Sequence, residues 1–280
     1  MAPFLSYEDK GAGNPALTRA DSPVPVPVPV PVPLQVPLPL VLIHGHPFDR
    51  TMWSPQIAAF APSRRVIAPD LRGYGASPVN LGKTPLPLFA QDIEDLLDHL
   101  GVTECVLVGL SMGGQIALAC YDRFGDRVRG LVLADTSAAP DTAEGRNLRR
   151  TTAGRLLDEG MRGYADEVLE KMVAPYAPAH VKDHVHRMMT ATPSEGAAAA
   201  LLGRAERPDY RPLLPRVTVP ALVIVGADDA FTPVSDAQAL HTGLPDATLH
   251  VIEGAAHMPN LERPEEFNRL LAAFLAGLDS

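Results

Sequence analysis

Short runs of Val, Leu and Ile recur along the chain, each followed, past a turn signal, by a stretch of helical periodicity. No other feature limits the fold as strongly. The runs are Phe4–Glu8, Leu38–His44, Val66–Asp70, Cys105–Gly109, Val128–Asp135, Ala221–Gly226 and Thr248–Ile252. From Leu38 onward most are continuously apolar, as strands buried on both faces of a largely parallel sheet must be. Helical spacing over Thr51–Phe60, Leu86–Leu100, Met112–Phe124, Val234–Leu244 and Pro264–Leu278 fills the intervals. Strand–helix alternation of this kind predicts an α/β fold with helices on both faces.

The chain has 280 residues, 46% of them hydrophobic, which is enough for a large core. Its 24 basic residues against 33 acidic ones give a net charge of −9, which argues against nucleic acid or an anionic membrane as partner. The two cysteines, Cys105 and Cys120, fall in an apolar strand and the helix after it, so a reduced state and a cytoplasmic location are expected. The opening residues "MAPFLSYEDK" lack the basic and apolar regions of a secretory signal. The apolar stretch Pro23–Ile43 is too rich in proline to be a membrane helix.

Two segments break the alternation. Between Asp135 and Ala221 the pattern is polar and helical without a convincing strand, and Ser137 to about Arg216 reads as a helical insertion. Such an insertion is expected over the carboxyl end of the sheet, where α/β folds bind ligands; the alternative is a solvated appendage. The second segment, "SPVPVPVPVPVPLQVPLPL" (a Val-Pro repeat insertion over 23–39), cannot join a central strand, because every second residue lacks an N–H. Polyproline II extending a hairpin tip is expected there.

The chemistry centres on "VLVGLSMGG", Val106 to Gly114. Gly109-Leu110-Ser111-Met112-Gly113 matches G-x-S-x-G where a strand turns into a helix, the context that gives this motif its meaning. Glycines at 109 and 113 remove Cβ atoms that would collide in so tight a corner. The serine then stands at a helix N-terminus, where N–H groups and the dipole favour negative charge. A serine hydroxyl needs a base. His257 follows the last predicted strand and falls at the same end of the sheet, whereas His44 and His46 compete from the loop after Leu38–His44. Within "HVKDHVH", His180 and His184 have a zinc-compatible spacing but no companion ligands, so no metal is expected. A tetrahedral intermediate also needs preset N–H donors. Met112 follows the nucleophile, and His46 precedes Pro47, which has no N–H; these two are the candidates.

With "LVLIHGHPFDRTMW", "RVIAPDLRGYGASP", "VLVGLSMGGQIAL", "ALVIVGADDAFTP" and "GAAHMPNLERPEEFN" the chain resembles the α/β-hydrolase superfamily over nearly its whole length outside the repeat. The resemblance implies a mostly parallel sheet of about eight strands. Core residues 1–136 and 217–280 would be interrupted by a helical cap over 137–216. It implies Ser111 as nucleophile, His257 as base and an acid in the "GADD" turn. The family commonly places that acid in D-x-x-[TV]-P, here Asp229 to Pro233, leaving Asp228 as a turn residue bonded to nearby backbone N–H groups. Asp135, at the end of an earlier strand, is an outside candidate. The "GLSMGG" and "HG-x-P" stretches are similar to those of small carboxylesterases, 3-oxoadipate enol-lactonases and cofactor-free perhydrolases. A serine nucleophile is unlike haloalkane dehalogenases and epoxide hydrolases, which carry aspartate there. The expected activity is hydrolysis of small esters or lactones without cofactor. A ligand-binding protein on the same fold is the alternative from another class. Phe48, Trp53, Met112, Phe231 and Met258 flank the catalytic loops and are expected to line an apolar pocket or to pack in the core. His46, where the family more often has an aromatic or apolar residue, is expected to touch substrate.

Overall fold

The computed structural model describes residues 4–11 and 37–279. Its five inner strands are Leu40–Ile43 (β2), Val66–Pro69 (β3), Cys105–Leu110 (β4), Val128–Ala134 (β5) and Ala221–Gly226 (β6). All are buried along their length apart from Arg129. Among the described residues two strands lie at the edges: Tyr7–Lys10 (β1), the only antiparallel one of these seven, and Ala247–Ile252 (β7). The order is β1-β3-β2-β4-β5-β6-β7. The sheet therefore has seven strands among the described residues, not the expected eight. β1 starts three residues later than the pattern Phe4–Glu8 suggests. Phe4 instead stays partly exposed beneath the Arg72 guanidinium, which is 4.4 Å from its ring centre. Residues 23–36, most of the Val-Pro repeat, lie outside the described residues.

Successive side chains of a strand point to opposite faces, and the core divides accordingly. Val41, Ile43, Leu107, Leu131, Leu133, Val223 and Val225 pack on one side with helices Leu86–His99 (α2), Met112–Phe124 (α3) and Val234–Gly243 (α8). Leu40, Leu42, Val106, Val108, Val132, Leu222 and Ile224 face the other side. There they meet Ser54–Phe60 (α1), the short Pro259–Glu262 (α9) through Leu261, and Pro264–Leu278 (α10). A 3-10 turn, Arg50–Trp53, precedes α1, because Asp49 caps it by accepting the Thr51 N–H at 2.8 Å; the expected helix from Thr51 is thus in two parts. Cys105 and Cys120 are free and buried. Among the described residues no helix is long and apolar enough to cross a membrane.

Between β5 and β6 run Ala143–Glu159 (α4), Met161–Met172 (α5), Ala179–Ala191 (α6) and Ser194–Ala205 (α7). Thr142 caps α4 through the Gly145 N–H, and Gly160, at φ +80°, supplies the break into α5. α4 and α7 share a small cluster of their own, including Leu156 and Leu201, which Met161 at the start of α5 joins. Val185, Met188 and Met189 of α6 instead join the core around Phe48, Met52 and Trp53. Polar ties fix this helical layer over the loops that leave the strands' carboxyl ends. The Thr192 hydroxyl donates to the Pro47 carbonyl at 3.0 Å, the Ala174 N–H to Glu262 at 2.7 Å, and the Tyr176 hydroxyl to Asp228.

Candidate active site

Ser111 occupies the corner between β4 and α3 with φ +58° and ψ −118°, a conformation that is strained for a residue with a Cβ. The corner closes because Gly109 and Gly113, two residues to either side, have none. A Cβ on Gly109 would stand 2.2 Å from the Gly113 carbonyl oxygen, and one on Gly113 would stand 2.0 Å from that of Ile43. Backbone bonds hold the turn in place: the Ser111 N–H donates to Ala134 and the Thr136 hydroxyl to the Ser111 carbonyl. Met112 opens α3, so its N–H has no acceptor within the helix. The loop after β2 presses onto the same corner, a Cβ on Gly45 falling 3.2 Å from the Ser111 Cβ. His46 follows Gly45 directly and is joined to Pro47 by a cis peptide bond.

Asp229 lies in the turn after β6, and His257 in the loop after β7. Both are buried. The His257 Nδ1–H donates to Asp229 Oδ2 at 2.8 Å. Asp229 also accepts the Phe231 and Thr232 N–H groups on Oδ1 and the Thr232 hydroxyl on Oδ2. Four donors fill the lone pairs of one carboxylate. Burial alone would raise its pKa. The His257 ring and these hydrogen bonds outweigh that and hold it below the usual carboxylate range. Asp228, expected to bond backbone N–H groups, is exposed and takes the Tyr176 hydroxyl instead.

Asp135 stands close behind, and one ligand-type atom from each of Asp135, Asp229 and His257 lies within 4.8 Å of the others. Asp135 does not orient the histidine: its Oδ1 accepts the Gly226 N–H. Burial, followed by the Asp229 charge, pushes its pKa well above the carboxylate range. His44 is also set apart, since Nδ1 donates to the Gly45 carbonyl and Nε2 accepts the Leu71 N–H. On the helical layer, His184 Nε2 lies 3.2 Å from the Thr51 carbonyl oxygen and His186 pairs with Asp166.

The His257 loop depends on a residue the sequence reading missed. Glu262 is buried, and its Oε1 accepts the N–H groups of Ala256 and Met258, on either side of the histidine. Its Oε2 takes the Ala174 N–H from the helical layer. Glutamate inside "NLERPEEF" looks like a first-turn charge of the last helix, so no local signal marked it.

Ser111, His257 and His46 line one cavity of about 190 Å³. A depression of about 360 Å³ below α2 and α3 contains none of them. Of the expected apolar lining, only Phe231 takes part, its ring 5.1 Å from that of His257. Phe48, Trp53, Met112 and Met258 are fully buried in the core, Trp53 against Phe267, because the apolar side chains of these loops turn under the sheet end rather than over it. The remaining wall comes from Gln115 of α3 and from the helical layer, including Arg149, Tyr164, Met172, Arg204 and Arg207.

Ser111, at a strand-to-helix corner, and His257, bonded to the buried Asp229 behind it, thus open on one cavity. Residues 40–270 match the model of the alpha/beta hydrolase family. The chain belongs to that family. It is 32% identical over 229 residues to 3-oxoadipate enol-lactonase 2 of Acinetobacter baylyi, covering 80% of this chain and 84% of that one. It is also 32% identical to a pimeloyl-[acyl-carrier protein] methyl ester esterase of Neisseria meningitidis, covering 84% and 93%. Among solved structures, a thermophilic esterase from Thermogutta terrifontis, with malate bound, superposes with a TM-score of 0.88 at 36% identity, covering 99% of this chain and 94% of that one.

Proposed function

We propose that the protein hydrolyses small carboxylic esters or lactones through an acyl-enzyme on Ser111. The enol-lactonase and esterase relatives support this bond type. His257 removes the serine proton and returns it to the leaving alcohol, and Asp229 holds the imidazole with its proton on Nδ1. The oxyanion meets the backbone N–H groups of Met112 and His46. Residues 137–216 act as a cap that shapes the cavity, with 1–136 and 217–280 as the catalytic core. Neither cofactor nor metal has a part in these steps.

The observation carrying this reading is the 2.8 Å bond from His257 to an otherwise saturated Asp229, beside a serine held at positive φ. An organophosphonate should label wild type at Ser111. Ser111→Ala should remain unlabelled and lose several orders of magnitude in turnover, since the three groups act as a unit. A labelled Ser111→Ala, or a wild type inert to every simple ester and lactone, would overturn the assignment.

A further inference from the structure

The cavity beside Ser111 carries a cation without a carboxylate of its own. Arg204, on the last turn of α7, is buried. Among the described residues its guanidinium has one hydrogen bond, from Nε to the neutral Gln115 Oε1 at 3.2 Å. Arg149 and Arg207 stand near it and share Asp141: Arg149 Nε bonds Oδ2, and Arg207 Nη1 lies 2.9 Å from Oδ1. Asp236 also lines the cavity. A guanidinium does not shed its proton, so three positive charges face two carboxylates on this wall, and Asp141 is already divided between two of them. Burying a charge without a partner is costly, and a ligand anion removes that cost.

A second observation concerns His46, which lines the same cavity. The Tyr74 hydroxyl is buried, and among the described residues its one hydrogen bond is to His46 Nδ1, at 2.7 Å. A buried phenol O–H donates where it can, so His46 carries its proton on Nε2, a buried N–H with no partner. Burial, and then Arg204 and Arg149, keep that ring neutral, so it is a donor and not a further cation. The cavity thus has an unmatched guanidinium in its wall, and His46, whose buried Nε2 has no partner, lines it as well.

We infer that the substrate is an ester or lactone whose acyl portion bears a free carboxylate, and that Arg204 binds this carboxylate. The acyl portion is the part that stays on Ser111 Oγ, and Arg204 is anchored to Gln115, one helical turn beyond that serine. Fork-shaped pairing with a carboxylate suits the two free amino groups of the guanidinium. Cavity size agrees: about 150 Å³ holds a benzene, so about 190 Å³ admits a short-chain diacid monoester and little more.

This inference rests on the hydrolase reading, and the experiment separates the two. Methanol release is measured for monomethyl glutarate, an anion at pH 7.5, and for dimethyl glutarate, its neutral counterpart. Wild type should favour the anion at least tenfold in kcat/KM, and glutarate should inhibit hydrolysis of the neutral diester competitively. In Arg204→Gln the ratio should fall to one or below and inhibition by glutarate should weaken at least tenfold, with Arg204→Lys in between. Should Arg204→Gln fail to fold, as its thermal melt would reveal, the wild-type ratio and its loss with rising salt decide the matter. A wild type that cleaves the neutral diester as well as the anion, or an Arg204→Gln that keeps the preference, overturns the inference and leaves the hydrolase standing. Failure to cleave either, with no phosphonate labelling, overturns the hydrolase reading itself.

Discussion

Replacing Asp229 by Asn keeps the side chain's shape and removes one of its two acceptor atoms. In the wild type, Oδ1 receives two backbone N–H groups, from Phe231 at 2.8 Å and Thr232 at 3.2 Å. These donors are fixed by the turn and cannot rotate away. The single oxygen of the amide must therefore take the Oδ1 position, which puts its NH2 group where Oδ2 was. The Thr232 hydroxyl can rotate to accept from that NH2. His257 Nδ1 cannot donate to it, so the ring accepts there instead and carries its proton on Nε2. In the proposed mechanism that is the nitrogen that takes the serine proton. By comparison with other serine triads, this wrong tautomer should cost about four orders of magnitude in kcat, or about 5.5 kcal/mol of barrier. Folding should suffer far less, by about 1–3 kcal/mol for the changed hydrogen bonds. The assay is kcat on p-nitrophenyl acetate together with a thermal melt. A folded Asp229→Asn within tenfold of wild type would refute the reasoning, because the tautomer would then not depend on Asp229.

Glu262→Gln leaves one amide oxygen for the Ala256 and Met258 N–H groups and turns an NH2 toward the Ala174 N–H, so about 2 kcal/mol should be lost in urea denaturation. Asp135 has a folded pKa raised above its unfolded value of about 3.9, so its contribution to stability is present below that value and is lost as pH rises toward the folded pKa. Asp135→Asn escapes this, and its Tm should gain on that of wild type between pH 5 and pH 9; a constant difference would count against a buried neutral carboxyl. A cavity of about 190 Å³ should favour acetate and butyrate esters, and a steady rise in kcat/KM toward palmitate would contradict its size.

What could be read from the sequence follows from how far apart the cooperating residues lie. The Ser111 corner is written in six consecutive residues, because a strand-to-helix turn excludes Cβ atoms locally, and the structure shows the collisions at Gly109 and Gly113. Asp229 and Thr232 share one turn, so the acid's hydrogen bonds are local too. Edge strands carry less information: β1 is half-exposed and, among the described residues, pairs on one side only, and its register could not be fixed from Phe4–Glu8. The cavity wall carries the least. In "EGRNLRR", Arg149 looks like one more solvated charge, and Arg204 stands at the end of an alanine-rich helix with nothing to mark it.

Only the folding of α4 and α7 against each other, over the loops of the sheet, turns those guanidinium groups toward Ser111. Apolar residues mislead in the opposite sense, since Phe48, Trp53 and Met258 beside the catalytic loops look the same whether they meet substrate or core. Local sequence thus encodes the Ser111 corner and the Asp229 turn, whose geometry is a property of single turns. What the cavity recognises depends on side chains brought from α3, α4 and α7 at once. Exchange of Arg204 should therefore change which ester is chosen, whereas exchange of Asp229 should slow every ester alike.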